Sequence, residues 1–137
     1  MNTIEENKRL VARYPFLLPF DRYTGRVLEG FDYSYTVLDD MPHGWRVAFG
    51  EKMCEEIRDR LVKSGCLDRY RVFQIKEKFG KLRWYDFFFE GACVETTTTD
   101  IISKYEQLSV RTCILCGKPA EQIGAIWNAP CCNGCAK

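Results

Sequence analysis

The stretch CILCGKPAEQIGAIWNAPCCNGC near the C-terminus holds the residue types best suited to chemistry. Cys113 and Cys116 form one C-x2-C pair, Cys132 and Cys135 form another, and fifteen residues lie between the pairs. A C-x2-C turn is tight enough to aim two thiolates at one ion, and a gap of this length lets a short hairpin bring the pairs together. The spacing therefore predicts one structural Zn2+ in a C-terminal zinc ribbon. Four protein ligands fill a tetrahedron and leave no position for water, so such an ion holds structure rather than performing catalysis. Gly117 and Gly134 offer permissive backbone where the chain curls around the ion. Cys131 is an alternative third ligand through C-x3-C, although the commoner spacing favours Cys132. Free or disulfide-forming thiols explain the pattern less well. The segment has few apolar residues beyond Ile114, Leu115, Ile123, Ile126 and Trp127, and it needs a cross-link to fold.

Two further constellations carry chemical potential. The span from Arg69 to Arg83 has six basic residues (Arg69, Arg71, Lys76, Lys78, Lys81, Arg83) against one acid, Glu77, interleaved with Phe73, Phe79, Trp84 and Tyr85 nearby. Cations for phosphates and rings for base stacking suit a nucleic-acid surface. The same lysines also suit a solvated strand face or a guarded edge. Asp39, Asp40 and His43, close in sequence to Tyr33 and Tyr35, form a group with general acid–base potential. At the start of a helix such acids more often act as caps, and we assign no catalytic residue. No phosphate loop, dinucleotide fingerprint or nucleophile elbow is present in the sequence. Cys54 and Cys66 read as buried or half-buried thiols and Cys93 as a loop thiol.

The elements that must position these residues follow from periodicity. A helix is expected over 3–14, with Ile4, Leu10 and Val11 on its apolar side, ended by Pro15 and Pro19. Residues 15–41, rich in aromatics and acids, read as an ordered loop region with one short strand. Trp45, Phe49, Met53 or Cys54, Ile57 and Leu61 recur every three to four residues and predict a long helix over 42–64. Asp39 or Asp40 would cap it and Gly65 would end it. Strands are expected over 69–77 and 81–89 around a Phe79-Gly80 turn. A last helix over 100–109 starts at Asp100 and buries Ile101, Ile102, Tyr105 and Leu108. The expected fold is a small α+β domain over 1–110, a β-hairpin packed on helices, with the ribbon of 111–137 docked through Ile126 and Trp127.

The 137 residues are 46% hydrophobic and 14% aromatic, enough for one packed core and unlike a disordered chain. A net charge of +1 gives no global preference for nucleic acid or anionic membranes. No apolar run approaches a membrane span of about 18 residues. The acidic start MNTIEENKRL does not resemble a signal peptide. The expected location is the cytoplasm, where paired cysteines more often bind metal than form disulfides.

The segments VLEGFDYSYTVLDDMPHGWRVAFGEKMCEEI, YRVFQIKEKFGKLRWYDFF and RTCILCGKPA…CC..C resemble a family of small phage and prophage proteins that carry a C-terminal four-cysteine zinc ribbon. The likeness runs from about residue 8 to the end. It departs at Cys131, where an aromatic would be expected, and in the loop FFFEGACVETTTT. The resemblance implies a phage-encoded accessory protein that binds a host or phage macromolecule without catalysis. Its most specific form is an inhibitor of a host defence protein, in the manner of small anti-CRISPR proteins. Arg71, Lys76, Lys78, Lys81, Arg83, Tyr33, Tyr35, Asp39 and Asp40 are the candidate partner-binding residues. The alternatives are a nucleic-acid-binding regulator that uses the basic hairpin and ribbon, or a small enzyme built on Asp39, Asp40 and His43.

Overall fold

The computed structural model describes residues 3–89, 93–123 and 129–135. It is a small α+β domain, in which helices and a two-stranded antiparallel hairpin share one core. Helix α1 (Ile4–Arg13) opens with a capping box: the Thr3 hydroxyl accepts from the Glu6 amide, and the Glu6 carboxylate accepts from the Thr3 amide. Its buried side is Asn7, Leu10 and Val11. Ile4, expected on that side, is 49% exposed. Asn7 takes the place because its side-chain amide donates to the Tyr33 carbonyl at 2.9 Å, which ties the helix to the following loop. Pro15 opens a 3-10 turn (Pro15–Leu17) that buries Phe16 and Leu17.

The aromatic tract after it is ordered by local hydrogen bonds. Asp21 accepts from the amides of Tyr23 and Thr24, and Phe20 pairs with Val27 in a single antiparallel bridge. A second 3-10 turn, Val37–Asp40, is capped by Thr36, with Asp39 reaching back to the Thr36 amide at 2.8 Å. Asp39 therefore caps this turn. The long helix that follows has Pro42 at its cap position and no side-chain cap, contrary to the expectation for Asp39 or Asp40.

That long helix has three parts: α2 (His43–Trp45), a π-helical segment (Arg46–Gly50) and α3 (Glu51–Ser64). Its stripe is buried as the spacing predicts, with Trp45, Phe49, Met53, Cys54, Ile57 and Leu61 all in the core. Gly65 ends it in the left-handed region at φ 70°, and the Cys66 amide closes back on the Leu61 carbonyl.

Strands β1 (Tyr70–Lys78) and β2 (Lys81–Phe88) pair antiparallel through the two-residue turn Phe79-Gly80. Tyr70, Val72, Ile75, Leu82 and Trp84 form the inner face. A bulge between Val72 and Gln74 resets the alternation. Helix α4 (Thr99–Ser109) packs against β2 and α3, burying Ile101, Ile102, Tyr105 and Ser109. Leu108, expected inside, is 37% exposed. Ser109 is inside instead because its hydroxyl accepts the Leu82 amide at 3.0 Å. Asp100 leaves no capping bond at the start of α4 and pairs with Arg60 of α3. A polar network stitches the hairpin to the chain before α4. Trp84 donates to the Tyr70 hydroxyl, and the Tyr70 and Thr98 hydroxyls both donate to Asp86. Burial, then the Asp86 charge, raise the Tyr70 phenol well above its ordinary value.

Cys66 and Cys93 form a disulfide across 27 residues of sequence, which corrects the reading of both as separate thiols. The reason is topological. The hairpin returns β2 beside the start of β1, with Tyr70 opposite Phe88 and the Phe89 amide on the Arg69 carbonyl, so the segment after β2 meets the segment after α3.

Candidate metal centre

The chain leaves α4 at Ser109 and turns directly into the first cysteine pair. A bridge between Thr112 and Pro119 holds this loop shut, with Cys113 donating its amide to the Lys118 carbonyl at 2.7 Å and Gly117 donating to the Cys113 carbonyl at 3.0 Å. Gly117 has φ 85°, which a side chain would strain, so its expected role holds. Gly134, where permissive backbone is also expected, does not adopt a positive φ. The second pair follows a short ladder of β3 (Gln122–Ile123) and β4 (Pro130–Cys131). There the Glu121 amide binds the Cys131 carbonyl, and Ile114 of the first loop binds the Pro130 carbonyl. Two loops far apart in sequence are thus joined by backbone bonds.

This arrangement brings the sulfurs of Cys113, Cys116, Cys132 and Cys135 within 4.8 Å of one another, with Cys116 and Cys132 at 3.5 Å. A tetrahedron of metal–sulfur bonds of about 2.3 Å has sulfur–sulfur edges of about 3.8 Å, so the cluster matches a four-thiolate site. These four cysteines can hold a metal ion. Cys131 stands outside the group. It is the ladder partner of Gln122, and strand alternation turns successive side chains to opposite sides.

The thiols influence one another strongly. Cys113 is lowered to about 6: burial opposes this, but backbone amides of Cys132, Cys116 and Leu115 stabilise the thiolate. Cys132 is lowered by the Cys135 amide and by the Cys116 thiol. Cys135 is pushed up to about 12, first by its hydrogen bonds to Cys132 and Cys116 and then by burial. Such a set holds some protons when it is alone and loses them to a divalent cation.

The centre is seated on the long helix rather than hanging from the domain. Trp45 donates its indole N–H to the Thr112 carbonyl at 3.0 Å, and the Gly44 amide donates to the Ile114 carbonyl at 2.9 Å. A Cβ at Gly44 would lie 2.2 Å from the Cys113 carbonyl oxygen, and one at Gly117 would lie 2.7 Å from the Gly44 carbonyl oxygen. Glycine at 44 is the residue that lets helix and loop meet. Cys113 and Ile114 belong to the same buried cluster as Trp45 and Phe49. Ile126 and Trp127, named in the sequence reading as docking residues, lie outside the described residues.

The partner-binding candidates separate into engaged and open groups. Arg71 donates to the carbonyls of Gly25, Asp68 and Tyr70 and lies over the Phe89 ring, so it clamps the loop to the hairpin. Asp39 uses both oxygens, one on the Thr36 amide and one in an ion pair with Arg46. Tyr33 packs its ring at a tilt against Phe31, with Lys8 over it. Tyr35 is half-exposed on the edge of Phe31. Asp40 is exposed, and desolvation and then the Asp39 charge raise its carboxyl. Lys76, Lys78, Lys81 and Arg83 remain on the outer hairpin face. No helix among the described residues is long and apolar enough to cross a membrane. No family model, curated protein or solved structure matches the chain, so its four-cysteine centre and its surfaces are what speak to its function.

Proposed function

We propose that this protein is a non-catalytic macromolecular binder whose C-terminal segment is organised by one structural zinc ion. The observation that carries the reading is the closed set of four thiols within 4.8 Å, seated against α2. Zinc fits it best, since four thiolates around one tetrahedral centre are the donor set of structural zinc. Bound there, the ion would cross-link two loops and supply on the order of 10 kcal/mol to their folding. The catalytic alternative draws less support, because Asp39 is fully occupied by a cap and an ion pair. Metal analysis of protein purified without added metal tests the first half. The expected result is one zinc per chain, and a chain that folds identically with no metal refutes it.

In its most specific form the protein is a phage-encoded inhibitor of a bacterial host defence protein. The surface available for such a contact is the loop of residues 20–35, where Tyr23 is 97% exposed and Val27, Leu28 and Tyr35 are also exposed. An aromatic and apolar loop held by turns is a fitting protein contact. Affinity purification from a bacterial lysate, with and without nuclease, tests it. A stoichiometric protein that survives nuclease and is lost on Tyr23→Ser and Tyr35→Ser supports the reading. Its absence, together with no effect on a panel of defence systems, refutes it.

A further inference from the structure

The distal half of the hairpin combines two features that stability alone does not favour. In the first, Lys78 is directly opposite Lys81 and Lys76 is directly opposite Arg83. The alternation of strands puts all four on one face, and like charges directly across a ladder destabilise it. Glu77, the acid of this hairpin half, falls on the other register and accepts the Gly80 amide at 2.7 Å. Of the four cations, Arg83 alone is near a carboxylate among the described residues, at 3.9 Å from Glu106. Lys76 and Lys78 lie instead over aromatic rings, those of Tyr85 and Phe79.

The second feature is the tip itself. Phe79 has φ 55° and Gly80 has φ 78°, a two-residue turn with both residues left-handed. Asparagine is the favoured first residue of that turn, and a bulky ring there is strained. The strain gains no burial, since Phe79 is 82% exposed. Guarding a strand edge explains lysines but neither the opposed cations nor the ring.

We infer that this hairpin tip binds single-stranded nucleic acid, with Lys76, Lys78, Lys81 and Arg83 on successive phosphates and an unstacked base on Phe79. Cations gain affinity from phosphates by releasing counterions, and an exposed ring gains it from a base face that a duplex keeps covered. The inference rests on the binder reading above and gives that binder a ligand and a site away from the 20–35 loop.

The test is fluorescence anisotropy of the full-length, metal-loaded protein with a labelled oligonucleotide, as single strand and as duplex, starting at about 50 mM salt. The single strand is expected to bind more tightly. Four phosphate contacts on a single strand give a log–log salt slope of roughly −3, and Lys78→Gln with Lys81→Gln should about halve it. Phe79→Asn relieves the turn, so the variant keeps or raises its melting temperature while losing about tenfold in affinity, with the slope unchanged. No binding at the low-salt start, duplex binding as tight as single-strand binding, or full affinity in Phe79→Asn overturns the inference. Equal competition by polyglutamate of matched charge also overturns it and makes the face a site for acidic protein. A nuclease-resistant partner captured while oligonucleotide binding fails removes this site alone and leaves the binder reading standing.

Discussion

Gly44→Ala isolates the contact between the four-cysteine centre and the helix. The added methyl would sit 2.2 Å from the Cys113 carbonyl oxygen and 2.6 Å from the Ile114 carbonyl carbon, both backbone atoms with no rotamer to yield. The loop must move, which costs about 1–3 kcal/mol by overpacking. The Gly44 amide then loses its 2.9 Å bond to Ile114, adding about 1 kcal/mol. With zinc bound, the expected loss is about 2–4 kcal/mol. With metal stripped by a chelator, the loop is no longer fixed against α2 and the penalty disappears. Alanine then favours the helix over glycine by up to about 1 kcal/mol, so the sign reverses. Closing the thermodynamic cycle, the two metal states differ by about 2–5 kcal/mol, so zinc affinity of the variant should fall roughly 30- to 4,000-fold, since each 1.4 kcal/mol is tenfold. Urea melts with and without chelator, together with a competitive zinc titration, measure all sides of the cycle. An equal penalty in both metal states refutes the argument that the metal couples loop to helix.

Other outcomes follow from the same geometry. Cys132→Ser should abolish stoichiometric zinc binding while Cys131→Ser retains it, as read by metal analysis, because only Cys132 lies in the thiol cluster. Replacing Cys66 and Cys93 together by alanine should lower stability by about 3–4 kcal/mol in urea, the loop-closure value for a link across 27 residues, and leave zinc content unchanged. Glu55 is held at about 2, below its ordinary value of 4.5, chiefly by hydrogen bonds from Arg13 and Tyr14. A depressed carboxylate stabilises the fold fully above the unfolded value and loses that contribution as pH falls from about 4.5 towards about 2. Glu55 is more than a third exposed, so screening keeps the effect to about 1 kcal/mol or less. Melts of Glu55→Gln should show a flatter acid limb than the parent, and an identical limb would show the pair to be inert.

Much of this architecture could be read from local pattern. The apolar stripe from Trp45 to Leu61 needs only a 3.6-residue period to show itself, and Gly65 only the left-handed turn that ends a helix. The hairpin is likewise written into two β-rich runs around Phe79-Gly80. Ile4 and Leu108 mark the boundary of that method. Both are apolar and near the helical stripe, but Asn7 and Ser109 are buried in their stead because each meets a backbone partner from another element.

What the sequence by itself determined is the two cysteine pairs of the metal centre, with Cys132 favoured over Cys131 by spacing, and the identity of the main elements, because both depend on residues a few positions apart. Tertiary structure alone decided the rest. It set Cys132 in the cluster and Cys131 beside it, since that choice turns on which side of a strand each thiol leaves. It joined Cys66 to Cys93, gave Asp39 to Arg46 and Arg71 to the loop carbonyls, and left Lys76, Lys78, Lys81 and Arg83 outward. It also gave Gly44 its meaning. Nothing around that glycine in the chain signals a close contact, because the carbonyl it makes room for lies in a loop that only the fold brings near. Spacing records what neighbours along the chain can do, whereas burial, pairing and free surface are properties of segments that meet only after folding.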